Sequence, residues 1–201
     1  QGMFLDNDWG TYPFVTGSNI VAGGVTAGAG IPPRKIDKII GVAKAYTTRV
    51  GSGPMPTEQL NGIGAKLQEI GQEFGATTGR KRRCGWLDLE LLRFAAKING
   101  LTEIALTKLD ILDDFDSIKI CTHYLLNGKT VKYEDGDANF LAKVKPVYKT
   151  VKGWKKSIKG FTKYSDLPNL AKQYIKEIEK NVGVKVTLIS TGQKRNEIIK
   201  I

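Results

Sequence analysis

The chain has 201 residues, 41% of them hydrophobic and 25% charged, which is enough apolar material to bury the core of one large domain or two small ones. This composition excludes a disordered, collagen-like or low-complexity chain, and no stretch approaches the roughly 20 consecutive apolar residues of a membrane-spanning helix. The 31 Lys and Arg residues against 20 Asp and Glu give a formal net charge of +11, which favours an anionic ligand or partner.

Cysteine usage indicates a reducing compartment. The two cysteines, Cys84 and Cys121, are too few for a disulfide framework and form no Cys-x-x-Cys metal pair. No basic-then-apolar signal peptide opens the chain, so a cytoplasmic location is expected. The sequence begins with Gln1 and its first residues resemble the interior of a longer sequence, so we expect a fragment.

The first 34 residues are rich in glycine and lack a clear apolar period. Glycine permits positive φ and close approach of two backbones, so this segment is predicted to be a loop wrapped against a ligand or another backbone. A merely flexible surface loop is the less favoured interpretation because several large apolar side chains need burial. These are Trp9, Tyr12, Phe14 and Val15.

Further along the chain, helical spacing of apolar residues predicts four helices. One is short and covers 36–40, and the longer ones cover 60–74, 87–98 and 170–178. Asp88 is expected to cap the helix over 87–98, which ends at Asn99-Gly100.

Short apolar runs between these helices predict strands. They cover 46–50, 103–107, 118–126, 184–189 and 198–201, and Asn127-Gly128 turns the third of them back into 129–133 as a hairpin. The alternation of helices with apolar strands predicts an α/β fold with a mixed, largely buried central sheet flanked by helices.

Four adjacent cations form the densest positive cluster of the sequence. Arg80 to Arg83 follow the small polar run 75–79. Guanidinium groups bind carboxylates and phosphates through paired hydrogen bonds, so a compact anion site is predicted here. Aromatic side chains on which RNA bases would stack are missing from this stretch. The cluster therefore favours a small anionic ligand over nucleic acid, whereas the scattered lysines of 143–159 fit an ordinary solvated surface.

The tetrapeptide 107–110, Thr-Lys-Leu-Asp, directly follows a predicted buried strand, where an open α/β sheet presents ligand-contacting side chains. The carboxylate of Asp110 can accept two hydrogen bonds from the N1–H and 2-amino groups of guanine, a donor pair that adenine does not offer. The stem of Lys108 can cover a purine face while its ammonium stays hydrated. The alternative is an ordinary strand end at which Asp110 caps a helix.

Ser190-Thr191-Gly192 ends a second apolar strand, and its small side chains allow backbone amides to approach a base. A plain strand-to-loop turn explains this tripeptide equally well. Two strand ends that face the same base would, however, support each other.

Other candidate sites are weaker. His123 is the only histidine and lies in the middle of a predicted strand, which is typical of a core residue. One histidine and two distant cysteines cannot form a catalytic triad or a zinc site. The stretch 75–81 lacks the Gly-x-x-x-x-Gly-Lys-Ser/Thr spacing of a phosphate loop.

Six sequence blocks in a fixed order are more specific than any of these motifs. They are QGMFLDNDWGTYPFVTGSN (1–19), VAGGVTAGAGIPPR (21–34), KAYTTRVGSGPMPTE (44–58), EFGATTGRKRRCGWLD (73–88), LTKLDILD (106–113) and LISTGQKR (188–195). With these blocks the chain resembles the C-terminal portion of the adenylosuccinate synthetase family along its whole length.

The resemblance implies the chemistry of a GTP-dependent ligase of purine biosynthesis. The family makes adenylosuccinate, GDP and phosphate from inosine monophosphate (IMP), L-aspartate and GTP, the first committed step toward AMP. The purine 6-oxygen is phosphorylated first, and the aspartate amine then displaces the phosphate. The implied partners are these three substrates and a second copy of the chain in a homodimer, without nucleic acid or membrane, and the implied cofactor is Mg²⁺.

The resemblance also implies binding residues. Those matching the IMP pocket are Gln1, Thr16, Val50, Gly51 and Arg80. Those matching the aspartate loop are Ala76, Thr77, Thr78, Gly79, Arg80, Lys81 and Arg82. Those matching the GTP site are Arg82, Lys108, Leu109, Asp110, Ser190, Thr191 and Gly192.

The family's phosphate loop, catalytic aspartate, catalytic histidine and magnesium ligands belong to an N-terminal part whose motifs are missing from this sequence. No catalytic or metal-binding residue is therefore assigned, the chain alone is expected to be inactive, and its fold is expected to be incomplete relative to the family. Residues 1–57 are expected to form a glycine-rich nucleotide-pocket segment, and 58–201 to carry the aspartate loop and the guanine-binding segment. The alternative function is a stand-alone guanine-nucleotide or basic RNA-binding module without catalysis.

Overall fold

The structure is a computed structural model that describes residues 2–75 and 79–201. The helices are α1 (Gly24–Ala29), α2 (Gly62–Ile70), α3 (Leu89–Asn99), α4 (Ala138–Lys143) and α5 (Asn169–Val182). The strands are β1 (Ile40–Lys44), β2 (Thr47–Arg49), β3 (Arg83–Gly85), β4 (Leu87–Asp88), β5 (Glu103–Thr107), β6 (Ser117–Leu126), β7 (Lys129–Val131), β8 (Lys145–Lys152), β9 (Lys185–Ser190) and β10 (Ile198–Lys200).

The main sheet has four strands in the order β1-β5-β9-β10. β1, β5 and β9 run parallel, whereas β10 pairs with β9 in the antiparallel sense, so the sheet is mixed as predicted. The interior strands bury side chains such as Ile104, Leu106 and Ile189, while β1 forms an edge on which Val42 is 76% exposed. The carboxyl ends of the three parallel strands lie along one side of this sheet.

A sheet of two strands and a second sheet of four strands complete the strand pairing. β2 pairs with β3, and β6 pairs with β4, β7 and β8. The predicted hairpin between β6 and β7 is confirmed, and Asn127 and Gly128 both take the positive φ that a tight hairpin turn requires, at 51° and 79°.

The three longer predicted helices are confirmed as α2, α3 and α5. Asp88 caps α3 by accepting a hydrogen bond from the amide of Leu91 at 3.2 Å, and Gly100 ends the helix at φ 59°. α5 is the longest helix of the described residues, and it buries one face formed by Ala171, Tyr174, Ile175 and Ile178. No helix in the described ranges combines the length and apolar character needed to cross a membrane.

The predicted burial of the N-terminal aromatic residues is wrong. Trp9, Tyr12 and Phe14 are 40%, 70% and 39% exposed, and Val15 is half-buried. A polar side chain orders the segment instead, because the buried carboxylate of Asp6 accepts four backbone hydrogen bonds, at 2.5–3.2 Å. The donors are the amides of Asp8, Trp9, Ile20 and Val21.

The short helix predicted over 36–40 is also wrong. A 3-10 turn covers Pro33–Lys35, and Ile40 already begins β1. The carbonyl of Ile39 accepts a hydrogen bond from the amide of Thr102 at 2.9 Å, at the point where β1 starts to pair with β5. Pairing with a distant strand therefore overrides a short local pattern.

The helix α4 and the strand β8 have no counterpart among the predicted elements. β8 is an eight-residue strand that pairs with β6 along most of its length, and it contains Pro146 and exposed lysines at 145, 149 and 152. Lysine and proline are typical of edge strands, where they discourage pairing with other chains, and they also obscure the apolar alternation by which a strand is predicted.

A buried carboxylate fixes the segment that follows β5. The two oxygens of Asp113 accept hydrogen bonds from the indole N–H of Trp154 at 2.6 Å and the amide of Ile158 at 2.9 Å. These bonds fix the end of the 3-10 turn Leu109–Leu112 to the segment after β8. Burial raises the pKa of Asp113 to about 6, although both hydrogen bonds act to lower it.

The Asp113→Ala variant should lose about 2–4 kcal/mol of unfolding free energy, because it leaves two interior N–H groups without their acceptor. The matched control is Asp114→Ala at the exposed neighbouring position, which should change the free energy by less than about 0.5 kcal/mol. Urea unfolding followed by circular dichroism measures both values. Equal losses in the two variants would show that the Asp113 hydrogen bonds do not stabilise the fold.

Candidate functional site

Two of the predicted motifs meet at the carboxyl end of the main sheet. β5 and β9 are parallel neighbours, with Leu106 in register with Ile189. The residues after β5, 108–110, therefore lie beside Ser190 at the end of β9 and the two residues that follow it. From the sequence these strand ends were a possible pair facing one base, and in the structure they are neighbours.

Asp110 lies half-buried in the 3-10 turn that follows β5. Lys108 precedes this turn with a left-handed φ of 58°, so Asp110 is not an N-cap, and that alternative interpretation is wrong. Burial raises the pKa of Asp110 and the charge of Glu197 adds to this, while its own backbone amide and nearby lysines lower it. A partly desolvated carboxylate of this kind gains strongly from two ligand donors.

The loop after β9 is held by its own hydrogen bonds. The hydroxyl of Ser190 donates to the carbonyl of Gly192 at 2.8 Å. The side chain of Thr191 is fully buried, with its hydroxyl 2.8 Å from the carbonyl of Phe161. A Cβ atom at position 192 would lie 2.2 Å from Glu197 Oε2, so only glycine fits there without a shift of that side chain. The hydroxyl, the amide and the carbonyl of Thr191 thus all serve the fold, because the amide donates to the carbonyl of Glu197 at 3.0 Å and the carbonyl accepts from the amide of Gly160 at 3.2 Å.

The residue that connects most of these motifs, Glu73, was not predicted from the sequence. Glu73 is fully buried, and its carboxylate accepts hydrogen bonds from four side chains that belong to distant parts of the sequence. The donors are Lys44 Nζ at 2.9 Å, Tyr46 Oη at 2.5 Å, Arg82 Nη1 at 2.7 Å and Lys108 Nζ at 2.7 Å. A single glutamate beside a cationic run carries no local signal of this role.

Three cations around one carboxylate leave two positive charges in excess. Burial alone would raise the pKa of Glu73, but the four hydrogen bonds outweigh it and lower the pKa to about 2. Burial lowers the pKa of Lys44, with the charges of Lys108 and Arg82 adding to this, although Glu73 opposes the shift. The cation side chains are 26–31% exposed, so the excess charge is open to an anionic ligand.

The ammonium of Lys108 is therefore not left to water. It donates to the carbonyl of Gly71 at 2.6 Å as well as to Glu73. Sequence analysis expected a hydrated ammonium and did not include these two protein acceptors. The Lys108 side chain as a whole is 31% exposed beside the turn that carries Asp110.

The two ends of the expected aspartate loop are held close together by backbone pairing. Phe74 and Lys81 form an antiparallel bridge, and the amide of Gly75 donates to the carbonyl of Arg80 at 2.8 Å. Gly79 has the positive φ of 61° that a tight turn requires. Three predicted residues, Ala76, Thr77 and Thr78, lie outside the described residues.

The predicted cluster of four cations does not form one compact anion site. Arg82 faces Glu73, whereas the guanidinium of Arg83 pairs with both oxygens of Glu58. Arg83 also donates to the carbonyls of Gly51 at 3.1 Å and Gly53 at 2.8 Å. Side chains of successive residues in an extended segment point to opposite faces, which is the physical reason for this separation.

Of the expected IMP-binding residues, Val50 lines a cavity of about 510 Å³ together with Lys44, Thr48 and Arg82. Among the described residues, Thr16 and Gly51 lie outside that lining. The Thr16 hydroxyl donates to the carbonyl of Leu5 at 3.1 Å. Gln1 is not among the described residues.

The described residues do not fit a magnesium site. Within 2–75 and 79–201 there is no group of three or more His, Cys, Asp or Glu side chains that could hold a metal ion. His123 is half-buried in β6, with Nδ1 3.0 Å from the hydroxyl of Thr122, as expected for a residue of the fold.

Comparison with known sequences identifies relatives over the whole chain. The family model for adenylosuccinate synthetase matches residues 1–199. The adenylosuccinate synthetase of Desulfatibacillum aliphaticivorans is 50% identical over 100% of this chain and 47% of its own length. That of Saccharomyces cerevisiae (strain Lalvin EC1118 / Prise de mousse) is 55% identical over 99% and 46%. The chain thus spans about half the length of the curated relatives it matches.

Solved structures show the same relationship. The fully ligated adenylosuccinate synthetase from Plasmodium falciparum superposes with a TM-score of 0.94 at 40% identity, over 98% of this chain and 48% of that one. The succinoaminodeoxyadenylate synthetase of cyanophage S-2L, at 17% identity, shares the fold with a TM-score of 0.60 over 100% and 44%. These matches do not favour a stand-alone nucleotide- or RNA-binding module.

The buried carboxylate of Glu73 predicts an acid-sensitive part of the stability. Its pKa is about 2 in the folded chain against an ordinary 4.5, so the unfolded chain binds more protons between these values and stability is lost as pH falls through them. This ionisation contributes about 3 kcal/mol above about pH 5. The difference in unfolding free energy between wild type and Glu73→Gln should stay constant above about pH 5.5 and narrow below about pH 4.5, by up to about 1.4 kcal/mol per unit.

Urea unfolding at about pH 7, 5.5, 4.5 and 3.5 measures this difference. Glu69→Gln, at an exposed position of α2, is the matched control and should follow the wild type at every pH. If this difference in unfolding free energy stays the same down to pH 3.5, the low pKa of Glu73 is contradicted.

Proposed function

Because the chain belongs to the adenylosuccinate synthetase family, we propose that it forms the substrate-recognition portion of the ligase that makes adenylosuccinate from IMP, L-aspartate and GTP. The observation that supports this proposal is that the carboxyl ends of the parallel strands β5 and β9 lie side by side in the main sheet. The carboxyl ends of the strands are where α/β sheets bind nucleotides. This arrangement gives a guanine base a carboxylate on one side and a small-residue loop on the other.

In this proposal Asp110 reads the guanine base. Its carboxylate accepts the N1–H and the 2-amino group together, while the backbone of 190–192 approaches the base from the neighbouring strand. Adenine would leave the half-buried carboxylate without its two donors, and an unpaired buried acceptor costs about 1–3 kcal/mol. The base is therefore selected by the cost of the wrong partner as much as by the gain from the right one.

The two anionic substrates are assigned to the cationic side of the site. The loop 76–82 is proposed to bind L-aspartate, with Thr77, Thr78 and Arg80 nearest the amino acid and Arg80 also reaching IMP. The excess positive charge around Glu73 supports a carboxylate or phosphate at this place. Residues 1–57 are proposed to supply the IMP pocket and 58–201 the aspartate and guanine sites, within one folded unit because β1 pairs with β5 and β2 with β3.

The remaining parts of the proposal come from the family resemblance alone. They are Mg²⁺ as cofactor, a homodimeric assembly and a cytoplasmic location. Because the described residues do not fit a magnesium site, no chemical step is assigned to the metal here. Phosphoryl transfer needs its developing charge neutralised by metal and phosphate-binding groups, so we propose that this chain binds substrates without turning them over.

Incubation of the isolated chain with GTP, IMP, L-aspartate and Mg²⁺ should therefore give no steady release of phosphate. A coupled phosphate assay measures this, and a titration of GDP in the same preparation serves as the control that the guanine site is folded. Sustained phosphate release would contradict the proposal that this chain binds the substrates without turning them over.

The guanine-reading role of Asp110 is tested by Asp110→Asn. The variant should bind GDP about 30-fold more weakly, a loss of about 2 kcal/mol, because an amide N–H₂ now faces the 2-amino group. Xanthosine diphosphate should lose less or gain, since its 2-oxo group accepts from the new amide. Isothermal titration of both nucleotides measures the change in preference.

Asp114→Asn, at an exposed position four residues further on, is the matched control and should bind both nucleotides like the wild type. A wild-type chain that binds no GDP at millimolar concentration, or an Asp110→Asn variant with unchanged preference, would remove Asp110 from the proposed base pocket.

A further inference from the structure

We infer that Glu73 is a positioning residue for guanine recognition, which acts by holding the side chain of Lys108 in place before the nucleotide binds. The inference rests on the proposed function, because it takes Lys108 as a contact of the guanine base. It adds a residue, Glu73, that lies 35 positions away in the sequence and has no direct role in the proposed base pocket.

Lys108 is fixed at both ends. Its backbone takes a left-handed φ of 58° between β5 and the turn that carries Asp110. Its ammonium donates to Glu73 Oε1 at 2.7 Å and to the carbonyl of Gly71 at 2.6 Å. A lysine stem held at both ends has few rotamers left, so covering a purine face loses little further side-chain entropy.

Glu73 is itself rigidly placed. It follows α2, its carbonyl accepts the amide of Arg82 at 2.9 Å, and its amide donates to the carbonyl of Gln68 at 2.9 Å. The side chain is fully buried, and Tyr46 and Lys44 bind the carboxylate as well. The acceptor that holds the Lys108 ammonium therefore cannot follow the lysine if that side chain moves.

Only a carboxylate of this length can make the whole set of contacts. An ionised glutamate offers about four acceptor positions on two oxygens, and the donors here use both oxygens. Glutamine has one acceptor oxygen, and its N–H₂ group would face cations. Aspartate keeps the charge, but its side chain is one methylene shorter and holds the carboxylate further from the donors. Both replacements should weaken the hold on Lys108 without touching the base.

The test is a double-mutant cycle on GDP affinity, measured by isothermal titration with wild type, Glu73→Gln, Lys108→Met and the double variant. If Glu73 acts through Lys108, each single variant should bind GDP about tenfold more weakly, and the double variant also about tenfold rather than about a hundredfold. If Glu73 had a purely structural role, the loss of GDP affinity in Glu73→Gln would add to the loss in Lys108→Met when both are combined. Additive losses, or an unchanged affinity in Glu73→Gln, would overturn the inference.

Glu58→Gln is the matched control. Glu58 is a partly buried glutamate that pairs with Arg83, an arginine of the same run, so its variant reports on the loss of an ion pair without the link to Lys108. It should bind GDP within about twofold of the wild type. An equal loss in Glu58→Gln and Glu73→Gln would attribute the effect to general loosening and overturn the inference.

Circular dichroism checks that each variant is folded. Should Glu73→Gln fail to fold, Glu73→Asp replaces it in the same cycle, where a non-additive loss with Lys108→Met supports the inference and wild-type affinity overturns it. A wild-type chain that does not bind GDP overturns the proposed function itself. GDP binding by the wild type with additive losses overturns only the role of Glu73.

Discussion

The carboxylate of Glu73 holds three cations and a tyrosine hydroxyl at the place where several segments of this protein meet. Its donors are Lys44 at the end of β1, Tyr46 two residues after β1, Arg82 at the end of the expected aspartate loop, and Lys108 directly after β5. Removing the buried carboxylate would leave three partly buried cations without their counter-charge, which is strongly destabilising. The arrangement around the candidate site therefore depends on one ionised side chain.

The same cluster explains how a stable fold can keep an excess of positive charge at a binding site. Three cations close together repel one another, and one buried carboxylate offsets only part of that repulsion. The remaining charge attracts anionic ligands before they make any contact. The excess positive charge therefore destabilises the fold but attracts the ligand, and the charge of Glu73 determines how large that excess is.

The main sheet provides the second half of the site. Parallel pairing of β5 with β9 aligns two strand ends that are about 80 residues apart in sequence, so that Asp110 and the loop 190–192 lie side by side. The carboxylate of Asp113 accepts hydrogen bonds from Trp154 and Ile158, which fixes the segment after β5 to the segment after β8. The candidate base pocket is therefore formed by loops that are short and fastened on both sides.

The sequence by itself determined the elements whose signals are local: the capped helix α3, the long helix α5, the hairpin at Asn127-Gly128 and the strand β5. Periodicity, caps and turn residues act within a few positions, so one segment is enough to specify them. Only the tertiary structure decided that Arg82 binds Glu73 and Arg83 binds Glu58, that Tyr12 is exposed, and that Glu73 is buried among cations. Those outcomes depend on which distant segments pack together, and no local pattern of residues encodes that contact.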